Sequence, residues 1–216
     1  MLLLIFAVLP PLLIAYYVYQ KDKYDKEPKS LIIKSFLFGC IAILPALFLE
    51  TIYDPSIFPN LFLYVFFGIA LIEEGVKYFF LRNYMYKKEE FNEPMDGIVY
   101  AVMISLGFAT VENIFYVFGN EEQGFSVAIM RMFTAIPLHA VCGVILGYFV
   151  GLAKFSEDKQ PLFFKGFFLA VLIHALYNYF IFLGHSFIFS IIVLIVAIYY
   201  SKKAIDIHQQ DSKTRH

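Results

Sequence analysis

Seven stretches of this chain are apolar over about the 17–25 residues that a helix needs to cross a bilayer, and they leave room for little except a bundle of membrane helices. They lie at about 2–19, 31–50, 61–82, 96–118, 126–153, 161–183 and 186–201. The last is short and the fifth long, so tilt is expected. The connectors are brief and polar, and no separate soluble domain fits between them. The expected fold is therefore all-α: a polytopic membrane bundle of about seven transmembrane helices. It is read as one integral-membrane unit over residues 1–216, with its motif-bearing core at about 61–182.

Composition agrees, with 60% hydrophobic and 16% charged residues. The chain has 16 Tyr and no Trp, so the interfacial aromatic belt is built on Tyr. A net charge of −1 implies no general attraction to nucleic acid. Cys40 and Cys142 both fall in apolar segments, which speaks against a disulfide framework and for small buried apolar residues.

Loop charges orient the bundle. The 20–30 connector carries Lys21, Lys23, Lys26 and Lys29, whereas 51–60 carries no basic residue. Lys87 and Lys88 follow the third span, and only Glu121 and Glu122 are charged after the fourth. Lys154 and Lys159 follow the fifth, nothing basic follows the sixth, and the tail holds Lys202, Lys203, Lys213 and Arg215. This alternation predicts an outside N-terminus and a cytoplasmic C-terminus in a multi-pass cell-membrane protein. The first segment has no basic residue before Lys21, so it reads as a retained span rather than a signal peptide. Pro10 and Pro11 should kink it, and the polar tail from Ser201 should fray.

Against this background the sequence Ile72-Glu73-Glu74-Gly75-Val76-Lys77 is costly. One charged side chain near mid-membrane costs about 2.5–3.5 kcal/mol on insertion scales, and this span carries three. Lys77 is i,i+4 from Glu73 and i,i+3 from Glu74, so it reaches either carboxylate. Consecutive residues diverge by about 100° on a helix, so the two Glu have different surroundings. One is expected to pair with Lys77 and the other to face a cavity as a general base.

Further polar groups lie in the next three spans: Glu112, His139, and His174 with Asn178 at i,i+4. By depth, most of them can meet in one layer somewhat outside the midplane, with Glu112 and Asn178 toward the outer rim. Pro137 should loosen the backbone beside His139. Arg131 either snorkels or pairs with a carboxylate, while Lys34 and Glu50, near span ends, are expected to snorkel. A Gly-x-Ser nucleophile with a His partner, an aspartyl pair and a His-Glu-x-x-His motif do not appear. Asp96, the Asp nearest a span, caps an end. A thiol route through Cys142, i+3 from His139, lacks an orienting third group. What remains is activation of water by carboxylate and imidazole, with or without a metal.

In order along the chain, Glu73-Glu74-x-x-Lys77, Phe108-x-x-x-Glu112, His139 and His174-x-x-x-Asn178 resemble the PrsW family of bacterial membrane proteases, relatives of the type II CAAX prenyl endopeptidases. The chain departs from CAAX enzymes at two motifs: Glu-Glu-x-x-Lys replaces Glu-Glu-x-x-x-Arg, and Phe-x-x-x-Glu replaces Phe-x-x-x-His. A prenylated substrate is therefore not expected. The resemblance implies site-1 cleavage of a single-span anti-sigma factor on its extracytoplasmic side, the first cut of a regulated intramembrane proteolysis that frees a sigma factor under envelope stress. In that reading Glu73 or Glu74 activates water, and Glu112, His139 and His174 ligate a divalent metal, zinc first, or polarise the carbonyl directly. His174 and Asn178 complete the catalytic set, Asn178 as oxyanion donor, and Lys77 balances charge. The rival classes are a proton-coupled transporter, weakened by the lack of an inverted repeat, and a non-catalytic scaffold.

Overall fold

The computed structural model describes residues 2–119 and 123–215, so the acidic pair Glu121 and Glu122 used in the loop-charge argument lies outside them. Among the described residues the chain is helical, with no strand. Helix α1 spans Leu2–Lys21, running on through Pro10 and Pro11, and α2 spans Lys29–Ile52. After a 3₁₀ turn at Pro55–Ile57 comes α3, a helical run over 61–85. Within α3, Leu61–Leu63 and Leu71–Phe80 are α-helical, whereas Tyr64–Ala70 and Leu81–Met85 are π-helical. Then follow α4 (Pro94–Gly119), α5 (Gly124–Phe133), α6 (Ala135–Lys154), α7 (Gln160–Phe182) and α8 (Phe187–Arg215).

Among the described residues, six stretches are long and apolar enough to cross a membrane: α1, α2, α4, α5 with α6 as Gly124–Lys154, α7 and α8. The segment expected at 61–82 stands apart because its two π-helical stretches interrupt the α-helix. Such widened turns collect at functional sites, and here the longer one ends just before Glu73. The fifth expected span is two helices. It breaks at Thr134, whose backbone (φ −127°, ψ −73°) is not helical. Pro137 has no N–H to offer the Phe133 carbonyl one turn back, so the ladder opens there.

Helices α4 and α6 form the buried centre, and α1, α2, α7 and α8 expose most of their apolar surface around them. Between membrane helices, close approach depends on small residues. A side chain on Gly39 of α2 would collide with the Ile104 carbonyl, and one on Gly107 of α4 with the Phe36 carbonyl. This contact draws α2 onto the face of α4 that carries Phe108 and Glu112.

The tail does not fray as expected. Helix α8 runs to Arg215, with Ala204, Ile205, His208 and Ser212 buried. His208 stacks on Tyr148 at 4.4 Å, and its Nε2 donates to the Tyr148 carbonyl at 3.0 Å. A polar sequence past Ser201 is thus one helix face docked on α6, which composition alone does not reveal.

At the start of α4 four carboxylates are buried together: Asp22, Glu27, Glu93 and Asp96. Asp96 accepts the Asn92 and Glu93 backbone N–H groups at 2.8 Å, capping the helix end. Tyr100 donates its hydroxyl to Glu27, and the Glu27 backbone N–H donates to Asp22 at 3.1 Å. In the 22–28 connector, burial raises the Asp22 carboxyl to about 6 and the Glu27 carboxyl to about 7. The folded protein therefore holds these protons more tightly than the unfolded chain, whose carboxyls titrate near about 4. Stability from this end is greatest at low pH and falls as pH rises through about 6 to 7. Accordingly, the melting temperature in detergent should drop between pH 5 and pH 8, and Glu27→Gln should flatten that drop by a few degrees. An equal drop in both proteins would refute the assignment.

Candidate active site

The charged residues of α3 sit at the centre of the bundle. Glu73, Glu74 and Lys77 are 4%, 0% and 1% exposed, so none of them snorkels. The Lys77 ammonium has three donors and no acceptor, and all three are used. It donates to Glu73 Oε2 at 3.3 Å, to Glu74 Oε1 at 2.9 Å and to His139 Nδ1 at 3.0 Å. It also lies 4.1 Å from the ring centroid of Phe108, a cation–π contact that gives Phe108 a reason to be aromatic. The same ring packs on His139, with centroids 5.7 Å apart.

The two carboxylates differ as their helical offset requires. Glu74 faces inward, and its Oε1 also accepts from His174 Nδ1 at 2.8 Å. Its Oε2 is buried without a hydrogen-bond partner. Glu73 lines a cavity of about 460 Å³, and its Oε2 lies 3.9 Å from His174 Nε2. The rings of His139 and His174 meet edge to face, with centroids 5.3 Å apart.

Glu112 is drawn in from α4. Its Oε2 accepts from Arg131 Nη2 at 2.6 Å and from His139 Nε2 at 2.9 Å. Asn178, one turn beyond His174, lines the cavity wall without sharing in this network, and Tyr177 lines the cavity with it. The structure thus brings Glu73, Glu74, Lys77, Glu112, His139 and His174 into one connected polar core, from four helices that are far apart in the chain.

Three contributors were missed or left open by the sequence. Glu50, expected to snorkel, lines the cavity. Arg131, left open between snorkelling and pairing, is 9% exposed and paired with Glu112. Asn113 supports it, accepting from Arg131 Nε at 2.8 Å and donating to the Ala7 carbonyl at 3.1 Å. Position near the end of an apolar run carries no signal that separates Glu50 from a snorkelling residue.

The donor set suits a divalent metal. Ligand atoms of Glu73, His139 and His174 lie within 4.8 Å of one another, all three residues are buried, and Glu74, Cys142 and His174 form a second such group. Two imidazoles and a carboxylate are a recognised catalytic zinc set, and a cation, the Lys77 ammonium, already bridges the carboxylates. Cys40 and Cys142 are both free thiols; Cys142 is buried, and its Sγ points to the Ala170 carbonyl at 3.6 Å.

A family model described as PrsW family intramembrane metalloprotease matches residues 27–201. The Protease PrsW of Oceanobacillus iheyensis is 37% identical over 204 residues, 91% of this chain and 93% of that protein. The Protease PrsW of Geobacillus kaustophilus is 37% identical over 174 residues, 80% and 76% of the two chains. That of Bacillus subtilis is 34% identical over 175 residues, 80% and 79%. No solved structure matches the chain significantly.

Proposed function

Because the chain belongs to the PrsW family of intramembrane metalloproteases, we propose that it cleaves a single-span anti-sigma factor on the extracytoplasmic side of the cell membrane. This is the site-1 cut that leads to sigma factor release under envelope stress. One observation carries the chemistry: of the two adjacent carboxylates, Glu73 lines the cavity while Glu74 is sealed behind it between Lys77 and His174. The outward position is supported by topology, since the ends of α2, α4 and α7 that line the cavity are those which the loop charges assign to the outside.

In this reading Glu73 takes a proton from water as the water oxygen adds to the scissile carbonyl carbon. It returns that proton to the leaving nitrogen as the C–N bond breaks. Asn178 is the candidate donor to the oxyanion. His139 and His174 would hold the divalent metal, with Glu73 beside it as base rather than ligand; when bound, the metal supplies Lewis-acid polarisation of the carbonyl and a more acidic water. Glu74 orients His174 through Nδ1, and Lys77 holds Glu74. Glu112, a candidate ligand on sequence grounds, is here the carboxylate that orients His139, because its near oxygen already accepts from both Arg131 and His139.

The test is reconstitution. Purified protein in proteoliposomes with a single-span anti-sigma factor should cut it outside the membrane, a chelator should stop the cut, and added zinc should restore it. An intact substrate throughout would overturn the substrate assignment. Cleavage by protein shown to be metal-free would overturn the metal assignment and leave glutamate and histidine to act alone.

A further inference from the structure

We propose that Arg131 is a positioning residue for His139: acting through Glu112, it fixes which imidazole nitrogen carries the hydrogen and which the lone pair, the one that a metal would take over from the Lys77 ammonium. This rests on the protease reading above.

Arg131 comes from α5, outside the motifs that mark the family resemblance. Its Nη2 donates to Glu112 Oε2 at 2.6 Å, and its Nε donates to Asn113 Oδ1 at 2.8 Å. Asn113 is held in turn by donating to the Ala7 carbonyl of α1, and Tyr116 lies under the guanidinium at 4.0 Å. A guanidinium only donates, so Glu112 Oε2 is set as an acceptor. His139 Nε2, 2.9 Å from that same oxygen, therefore carries the hydrogen. On the other side of the ring, Nδ1 faces the Lys77 ammonium at 3.0 Å, another group that only donates. Both neighbours impose the same neutral tautomer, with hydrogen on Nε2 and a lone pair on Nδ1 toward Lys77. The Arg131–Glu112 pair is the outer half of that constraint.

The arrangement on His174 is its counterpart. There Glu74, held by Lys77, takes the Nδ1 hydrogen at 2.8 Å and leaves Nε2 on the side of Glu73. Each histidine is thus backed by a carboxylate, and each carboxylate by a cation: Glu74 by Lys77 of its own helix, Glu112 by Arg131 of another. Carboxylates behind ligating histidines raise ligand basicity and fix ring orientation. A simpler alternative is that Arg131 merely clasps α5 to α4. A clasp would alter stability without altering the histidine.

The two are separable by experiment. Metal-stripped wild type, R131Q and R131K are titrated with Zn²⁺ against a competing chelator, and His139 is observed by isotope-labelled histidine NMR in the metal-free proteins. R131Q should bind Zn²⁺ about 10–100-fold more weakly, the cost usual for lost outer partners of a ligand. R131K, which keeps the charge without the planar fork, should fall between. His139 should appear as the Nε2–H tautomer in wild type and as a mixture in R131Q. Unchanged Zn²⁺ affinity in a folded R131Q, or an Nδ1–H tautomer in metal-free wild type, would overturn the proposal. If R131Q fails to fold, the wild-type and R131K spectra decide. If wild type binds no Zn²⁺, the metal in the protease reading falls, while the tautomer spectra still judge Arg131 alone.

Discussion

Glu73→Gln should lower peptide cleavage by roughly 10²–10⁴-fold, the usual contribution of a positioned general base, while leaving the melting temperature close to that of wild type. The amide has nearly the volume of the carboxylate and keeps an oxygen for the 3.3 Å contact with Lys77. It cannot take a proton from water. Glu74 remains to balance the ammonium at 2.9 Å, so no buried charge is left alone. Glu74→Gln is the instructive contrast. It weakens the hold on both Lys77 and His174, so it should reduce stability and cleavage together. Cleavage rates in proteoliposomes, measured alongside thermal unfolding of the same preparations, check the pair. Wild-type cleavage by Glu73→Gln would move the base elsewhere in the cavity, where Glu50 is a further carboxylate.

Lys77→Met should be the most damaging single change in the protein for stability. Removing one partner of a buried ion pair costs about 3–5 kcal/mol, because the charge left behind has neither water nor a counter-ion. Here two carboxylates, 4% and 0% exposed, would lose their shared cation, and Phe108 its cation–π partner. Methionine fills most of the lysine's volume, so the expected loss of folded protein in detergent reports charge rather than a cavity. The double variant Lys77→Met with Glu74→Gln should recover part of the loss, since removing both partners is far milder than removing one. Wild-type yield and melting temperature for Lys77→Met would refute the account of Lys77 as counter-charge.

Much of the site was legible because it depends on spacing within single helices. Lys77 reaches Glu73 at i,i+4 and Glu74 at i,i+3, and the structure has both contacts. The 100° offset between the two carboxylates told that their surroundings differ, though not which one faces the cavity. His174 and His139 were visible as polar groups in apolar runs. Glu112 was visible too, but not that Arg131, nineteen residues on, takes its oxygen. Glu50 resembled an ordinary residue at a span end, and Arg131 was open between snorkelling and pairing. Their inward turn depends on how α2 and α5 are rotated, which hydrophobicity does not encode.

The sequence by itself determined a helical membrane bundle and the charged residues that must pair at its centre. Bilayer thickness sets the length of an apolar run, and a buried charge must find a partner in reach along its own helix. Only the tertiary structure decided the division of labour: Glu73 to the cavity, Glu74 to Lys77 and His174, and Glu112 between Arg131 and His139. It also decided that the polar tail is a docked helix and that the fifth span breaks at Thr134. The physical reason is one of range. Contacts within a helix repeat every 3.6 residues and can be counted. The depth and rotation of one helix against another follow from close packing at points such as Gly39 and Gly107, and no local pattern announces where that packing will bring two side chains together.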